Sequence, residues 1–150
     1  MAFDFFGRKR RQTEDMERRR RMQEFESERR RREQEDVERK RESEEKLSSF
    51  KRNIESKEEN AKFIGALKKV IDPEINVDIW TLGLVYGIEE KGKGVGITMT
   101  FTTPTCPYGP QILEDVKEKM TEIGFKTADI EVVFNPVWIP TKEVRELLGV

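Results

Sequence analysis

The sequence predicts an α+β fold, a small α-β-β-α-β domain with a three-stranded mixed sheet and a short C-terminal helix, preceded by a long charged N-terminal helix. Charged residues dominate the first third, whereas all six prolines and nine of the ten glycines lie after residue 64. Two stretches alternate apolar and polar residues around a glycine-rich turn. A third apolar run predicts another strand, and a helical repeat lies between it and the preceding strand. The helix therefore joins these two strands by a crossover.

The first 55 residues are predicted to be an extension rich in arginine and glutamate, helical or disordered, and residues 56–150 are predicted to be the folded domain. Basic blocks recur every ten or eleven residues in the extension, and an acidic block follows each of them. The basic blocks lie at residues 8–11, 18–21, 29–32 and 39–41. No proline interrupts this stretch, so a long helix is sterically allowed.

The extension lacks the apolar seam that a coiled coil needs, because its apolar residues do not align on one helical face. These residues are Met16, Met22, Phe25 and Val37. Acidic residues instead precede basic ones by four positions at many places, as in Glu14–Arg18 and Asp15–Arg19. Each such pair stabilises a helix by roughly 0.2–0.5 kcal/mol. The pattern therefore favours a single solvated helix, with disorder as the alternative.

The first seven residues carry three aromatic side chains, Phe3, Phe5 and Phe6. They are either a short docking or membrane-surface peptide or a frayed terminus. The formal net charge of the chain is −1, which gives no basis for non-specific binding to nucleic acid. No apolar run is long enough for stable membrane insertion, and we expect a soluble, cytoplasmic protein without a nucleic-acid partner.

From Leu47 onward the apolar residues keep the three- and four-residue spacing of a helix with one buried face. We expect this helix to continue almost without a break, with Asn60 as an N-cap that restarts it. The helix should end at Asp72–Pro73, because the residue before a proline avoids helical angles.

The rest of the domain is predicted from periodicity and turn residues. The first strand contains Leu84, Tyr86 and Ile88 on one face, and the second strand is parallel to the third because a helix connects them. The expected elements are a turn at 90–94, a strand at 95–102, a helix from 112 to 123 stopped by Gly124, a strand at 130–134, an extended segment at 135–140 and a short helix at 141–148.

The stretch TTPTCPYGP, residues 102–110, lies between the second strand and the following helix and carries the only cysteine of the chain, Cys106. Three prolines make this turn stiff. A thiolate at or just before a helix N-terminus is favoured, since the helix dipole and free N–H groups stabilise an anion. The alternative is a buried, inert cysteine that fills space like a small hydrophobic residue.

The composition excludes several kinds of site. The chain has no histidine, which removes the Cys–His nucleophilic pair, the Ser–His–Asp triad and every histidine metal site. A single cysteine excludes an internal disulfide. No recognisable catalytic constellation is left, so we do not expect an enzyme.

Four short motifs occur together in a known order and spacing: DPE at 72–74, LGLVY at 82–86, TTPTCP at 102–107 and NPVW at 135–138. From about residue 60 to 150 the chain resembles the PaaD-like, SufT-like metal–sulfur cluster assembly domain, which also occurs in the cytosolic iron–sulfur targeting factor. The resemblance implies a role in iron–sulfur cluster assembly or delivery.

The resemblance also implies which residues matter. Cys106 matches the family's functional cysteine and is the predicted metal ligand, and an iron–sulfur cluster is the implied cofactor. Six other residues are predicted to shape the site or contact a partner: Asp72, Glu74, Asp78, Thr103, Pro107 and Trp138. For the acidic residues the alternative is local, because carboxylates around a proline can simply end a helix and shape a turn. For Trp138 the alternative is packing in the core.

The number of cysteine ligands in the chain restricts this function. Stable clusters usually take four thiolates, so one cysteine per chain cannot hold a cluster alone. The cluster must be transient, shared with a second copy in a homodimer, or completed by a small thiol or another protein. The predicted partners are the iron–sulfur assembly machinery and client apoproteins. The alternative function is an adaptor that binds these proteins without holding metal, with the long helix as an arm.

Overall fold

The computed structural model describes the backbone of residues 3–150 and the side chains of residues 12–150. The predicted docking peptide with Phe3, Phe5 and Phe6 lies outside the described side chains. The chain divides into two compact units, Met1–Lys40 and Arg41–Val150. The first helix, α1, runs from Phe3 to Glu55. Within the described residues, no helix combines the length and apolar character needed to cross a bilayer.

In the first unit, the side chains of residues 12–40 are exposed, including those of Met16, Met22, Phe25 and Val37. Ion pairs line the helix. The acid-first pair Asp15–Arg19 has its nitrogen and oxygen 3.7 Å apart, whereas Arg20–Glu24, with the base first, is closer at 3.1 Å. Such exposed pairs contribute little individually. The predicted long charged helix is confirmed. Some of its arginines pair with a carboxylate that precedes them in the sequence, and others pair with one that follows them.

The second unit contains the sheet and the remaining helices. A short 3₁₀ turn, Glu58–Asn60, precedes the second helix. The helices are α2 (Ala61–Leu67), α3 (Gly109–Glu122) and α4 (Lys142–Leu148). The strands are β1 (Ile71–Asp72), β2 (Val77–Asp78), β3 (Val85–Lys91), β4 (Gly94–Met99) and β5 (Thr127–Val132).

The main sheet is mixed and has the order β3-β4-β5, with β4 at its centre. β3 pairs antiparallel with β4, placing Ile88 opposite Ile97, and β5 pairs parallel with β4, placing Ile130 opposite Ile97. The α-β-β-α-β order and the three-stranded mixed sheet are therefore confirmed. β1 and β2 form a separate two-stranded hairpin, which the sequence analysis did not anticipate.

The core forms where the alternating face of β4 meets the apolar face of α3. Val95, Ile97 and Met99 of β4 are buried, as their alternation predicts. Ile112, Val116 and Met120 of α3 are fully buried against the same core, as their helical spacing predicts. Gly124 follows α3 with φ +102°, a conformation that favours glycine and ends the helix.

The last part of α1 also supplies core residues. Leu47 and Ile54 are buried, at 6% and 5% exposure. The ring of Phe50 stacks on that of Tyr86, with centroids 5.2 Å apart. The helical face that begins at Leu47 is therefore an integral part of the second unit. The predicted domain boundary between residues 55 and 56 remains a prediction.

The expectation of a nearly continuous helix to Asp72 is wrong. α1 ends at Glu55, and Lys57 is extended, with φ −101° and ψ 113°. Asn60 occupies the N-cap position of α2, as predicted, but its side chain makes no capping hydrogen bond there. Its Nδ2 donates instead to the carbonyl oxygen of Ile54 at 3.1 Å and so satisfies the end of α1. α2 stops at Leu67, and Asp72, five residues further on, is extended and pairs with Val77 in the hairpin.

The third sheet strand also differs from its predicted bounds of 130–134, since β5 begins at Thr127. Its register is set by β4, which pairs Gly94 with Thr127 and Met99 with Val132. The N–H of Lys126 donates to the carbonyl oxygen of Lys93 at 2.8 Å, which starts the pairing early. The strand position thus follows from tertiary pairing more than from the local apolar run.

Two truncations test how the chain divides. A variant lacking residues 1–40 should unfold cooperatively with nearly unchanged thermal stability, since it retains the unit Arg41–Val150. A variant lacking residues 1–55 should be several kcal/mol less stable, because buried Leu47 and Ile54 are lost and each is worth about 2–5 kcal/mol. Thermal and urea unfolding followed by circular dichroism measures both. Equal stability of the two variants would contradict this division.

Candidate functional site

The cysteine loop joins β4 to α3 and is shaped by two turn hydrogen bonds. The Cys106 N–H donates to the carbonyl oxygen of Thr103 at 3.3 Å. The Gly109 N–H donates in turn to the carbonyl oxygen of Cys106 at 3.2 Å. Cys106 therefore lies three residues before the first residue of α3, in a segment of consecutive turns. Thr103 and Pro107 are exposed on either side of it.

The cysteine itself is half-buried. It packs against the hydrophobic core without being enclosed by it, so part of the residue is open to solvent. Within the described residues, no group of three or more cysteine, aspartate and glutamate side chains could hold a metal ion. The described residues of one chain therefore do not form a complete metal site around Cys106.

A close contact fixes the end of the loop. A Cβ atom at Gly109 would lie 3.2 Å from two carbons of the Phe101 ring, which is tighter than ordinary packing. Gly109 is buried at the start of α3, so the absence of a side chain lets the aromatic ring cover the helix. The Phe101 ring also contacts Phe134, with centroids 6.5 Å apart. The loop is thus anchored at its exit by aromatic packing.

The segment before β3 anchors the entry of the loop and the C-terminal segment. The Thr100 N–H donates to the carbonyl oxygen of Leu84 at 2.8 Å, and Thr100 is fully buried. The Trp138 indole Nε1–H donates to the carbonyl oxygen of Leu82 at 2.8 Å. The Tyr86 hydroxyl donates to the carbonyl oxygen of Pro136 at 3.0 Å. Residues 82–86, the LGLVY motif, therefore hold both the NPVW motif and Thr100, which lies two residues before the TTPTCP motif.

Tyr86 is the titratable residue in this arrangement, and its pKa is shifted by burial. Burial raises the pKa of its phenol from 10.0 to about 12, and a hydrogen bond with the Thr100 side chain opposes that rise. Only 7% of the residue is exposed. Sequence reasoning placed Tyr86 on a strand but missed its contact with Pro136, fifty residues away, and gave no role to Thr100.

The DPE motif forms the turn of the small hairpin. Asp72 is 1% exposed, and its Oδ1 accepts hydrogen bonds from the N–H groups of Glu74 at 2.9 Å and Ile75 at 3.4 Å. Its Oδ2 is buried without a partner. Asp78 shapes the next turn, where its Oδ1 accepts from the Thr81 N–H at 2.8 Å. Both carboxylates thus have the local role that the sequence left open.

The predicted site residues do not all meet. Both hydrogen-bond partners of the Asp72 carboxylate lie in its own turn, and the partner of Asp78 lies three residues further on. No hydrogen bond of the described side chains links either carboxylate to Cys106. Glu74 is exposed. Trp138 is half-buried and lines a cavity of about 510 Å³. The other walls of this cavity come from the end of α1, from residues 81–83 and from the start of α4. They include Leu47, Arg52, Gly83 and Thr141.

Comparison with known proteins covers the region that holds these motifs. A family model described as iron–sulfur cluster assembly protein matches residues 60–132. The Fe-S protein maturation auxiliary factor YitW of Bacillus subtilis is 40% identical over 93 residues, which are 61% of this chain and 89% of that protein. The Fe-S protein maturation auxiliary factor SufT of Staphylococcus aureus is 42% identical over 71 residues, 46% of this chain and 81% of that protein.

A solved structure shares the fold. A conserved hypothetical protein from Thermotoga maritima is 40% identical, with a TM-score of 0.53. The match covers 59% of this chain and 92% of that one. These similarities cover nearly the full length of the related proteins but only part of this chain.

Substitutions at Asp72 separate its turn contacts from its unpaired oxygen. Asp72→Ala should destabilise the protein by about 1–3 kcal/mol, because the N–H groups of Glu74 and Ile75 lose their acceptor. Asp72→Asn retains an acceptor oxygen and should cost less than Asp72→Ala. Glu74→Gln, at an exposed position, serves as the control and should stay within about 0.5 kcal/mol of wild type. Urea unfolding measures all three; an Asp72→Ala variant as stable as wild type would rule out this capping role.

Tyr86 should make stability depend on pH in the alkaline range. Below pH 10 the phenol is protonated in both states; between pH 10 and about 12 only the unfolded state ionises, so stability falls as pH rises. The loss attributable to Tyr86 should reach on the order of 2 kcal/mol near pH 12. Tyr86→Phe should cost about 1 kcal/mol at neutral pH and lack this component. Urea unfolding of both proteins across this range measures the difference, with Tyr108→Phe as the matched control; parallel pH profiles would be the contrary result.

Proposed function

Because this chain belongs to the iron–sulfur cluster assembly protein family, as its motifs predict, we propose that it assembles or delivers clusters with Cys106 as a thiolate ligand. The observation that carries the proposal is the position of the only thiol. Cys106 lies half-buried on the turn before α3, inside the matched region 60–132. A thiolate there can reach iron in solvent while its backbone is held by the turn.

The cluster is cargo in this proposal. One thiolate per chain leaves most coordination positions of a cluster to other donors. A homodimer supplies two copies of Cys106, and a small thiol or a protein partner completes the set. Few protein ligands also make release easy, because the receiving apoprotein has to displace only one thiolate from each chain. A transient, shared cluster therefore fits delivery better than storage.

The surroundings of Cys106 are proposed to serve recognition. Thr103 and Pro107 are exposed beside the thiol, where a partner would contact them. Asp72, Glu74, Asp78 and Trp138 are proposed to shape the surface around the site, without ligating iron, because carboxylates are hard ligands poorly matched to iron in sulfide clusters. We infer that the partners are iron–sulfur assembly proteins and client apoproteins, that the protein is not itself an enzyme and that it acts in the cytoplasm.

Anaerobic reconstitution of wild type and Cys106→Ser tests the ligand assignment. Serine has nearly the volume of cysteine, so the fold should survive, as circular dichroism would verify. Wild type with added small thiol should take up iron and sulfide and absorb visible light, whereas Cys106→Ser should lose most of its iron. Thr105→Ser, an exposed change one residue away, is the matched control and should load like wild type. Equal iron in Cys106→Ser and wild type would remove Cys106 from the ligand set.

The adaptor function is the second candidate, and the exposed side chains of residues 12–40 favour it, because they offer an arm for protein contacts. Affinity capture from cell extract under anaerobic conditions, with iron analysis of the captured complexes, separates the two. Retention of client proteins by Cys106→Ser, together with iron-free complexes from wild type, would favour the adaptor. Loss of clients with Cys106→Ser would favour the ligand role.

A further inference from the structure

The exposed helix of the first unit carries its charges in an order that is complementary to itself. We define the charged arm as residues 12–40, all of which have exposed side chains. Its first four charge blocks are acidic at 14–17, basic at 18–21, acidic at 24–28 and basic at 29–32. Read backwards, this order places a basic block wherever the forward order has an acidic one. A helix with this order matches an antiparallel copy of itself.

We propose that the charged arm pairs with the charged arm of a second copy of this chain, antiparallel, about a two-fold axis level with residue 23. In this register residue i faces residue 46 − i. Opposite charges are then level with each other at five positions in each half; of these pairs, Glu14 with Arg32 and Arg18 with Glu28 lie on one face of the helix and can touch. No position from 14 to 32 faces a like charge.

A shift of a single residue breaks the charge match. A shift of one residue in one direction places Glu17 opposite Glu28, and a shift in the other places Arg18 opposite Arg29. A parallel, in-register pair would set every block against its own charge. A parallel, staggered pair would leave unmatched blocks at both ends and would extend without limit, whereas the antiparallel pair closes on itself. Charge complementarity thus favours an antiparallel pair over a parallel one.

One face of the arm collects the facing residues. Steps of three and four residues link Glu14, Arg18, Arg21, Phe25, Glu28 and Arg32, so these side chains lie on one side of the helix. Glu14, Arg18 and Arg21 make no ion pair with another described side chain, which leaves them available to a partner. Arg32 lies 3.7 Å from Glu28 in its own helix, but a guanidinium has five donors and can bind a second carboxylate.

Exposed apolar side chains lie beside the proposed axis. Phe25 is 64% exposed and Met22 is 55% exposed. In the antiparallel register Phe25 faces Arg21 of the second copy, a combination that permits a cation–π contact. Met22 lies next to its own symmetry mate, so the two thioether side chains cover each other. The centre of the pair is therefore apolar, and its flanks are ionic.

Sedimentation equilibrium of the full chain measures the association. All proteins carry Cys106→Ser, so that neither a cluster nor a disulfide through Cys106 contributes to the mass. We expect a monomer–dimer equilibrium at low ionic strength whose dissociation constant rises with salt, because exposed charges are screened. A monomer at every concentration and salt concentration would overturn the proposal.

Charge reversal tests the pairing itself. The variant Arg18→Glu/Arg32→Glu and the variant Glu14→Arg/Glu28→Arg should each dissociate about a hundredfold more easily, since the four facing contacts of the pair change from attraction to repulsion. Mixed together, the two variants should form a heterodimer in which every facing pair is again opposite. A chain with all four substitutions should form a homodimer like the parent. Helicity measured by circular dichroism shows whether each variant keeps its arm. Helical double variants that dimerise like the parent, or fail to pair when mixed, would refute the register.

Crosslinking tests the orientation. In the Cys106→Ser background, Met22→Cys should form an intermolecular disulfide readily under mild oxidation, because the two copies of residue 22 lie next to the axis. Val37→Cys, equally exposed, is the matched control and should not, since its copies lie 28 residues apart along the pair, about 42 Å. Efficient crosslinking at Val37→Cys would show a parallel pair and refute the antiparallel one.

Discussion

The second unit depends on the hydrogen bonds that converge on residues 82–86. The carbonyl oxygen of Leu84 accepts from the buried Thr100 N–H, and that of Leu82 accepts from the Trp138 indole. The Tyr86 hydroxyl completes the set by donating to Pro136. Leu82 and Leu84 are themselves fully buried, so these polar contacts are made at the edge of the core, where an unpaired group would cost about 1–3 kcal/mol. Loop entry and C-terminal segment are therefore fixed by the same stretch of chain.

This arrangement explains how a flexible-looking loop can present a thiol at a defined place. Its entry is held by Thr100 at Leu84, and its exit by the Phe101 ring over Gly109. Between these anchors, Cys106 is held by backbone turns, packs against the core and is half-buried. A cluster carrier must bind metal and also release it. With Cys106 as the proposed ligand, a rigid backbone with one partly exposed thiol suits both requirements, because it would orient the ligand without enclosing the iron.

Periodicity predicted the elements whose burial is regular. The alternation of Val95, Ile97 and Met99 and the helical spacing of Ile112, Val116 and Met120 match the buried faces of β4 and α3. The two-residue strands β1 and β2 are too short to show a period, and they were missed. The break after Glu55 has neither glycine nor proline to mark it, and the start of β5 follows from pairing with β4. Local sequence cannot report such tertiary constraints.

The candidate site shows the same limit. The motif spacing placed Cys106 on the turn between β4 and α3, and the turn of Asp72 and Glu74 followed from the proline between them. The contacts of Tyr86 with Pro136 and of Trp138 with Leu82 span about fifty residues of chain. No local pattern encodes such distances. In the sequence, these contacts are indicated only by the joint occurrence of the motifs. The family resemblance rests on that joint occurrence but gives no physical reason for it.

The charged arm presents the opposite case, in which the order of residues says more than the fold does. A single exposed helix has no buried core from which a function could be inferred, and its positive and negative charges nearly cancel.

Blocks of one sign recur about every 16 Å along the helix, so opposite blocks are about 8 Å apart. This separation is close to the Debye length of about 8 Å at physiological ionic strength. At longer range the blocks cancel and the arm attracts nothing in particular. At contact each block acts separately, and only a surface with the reverse charge order matches it. The proposed specificity of the arm thus depends on the order and register of its charges, which composition and net charge do not describe.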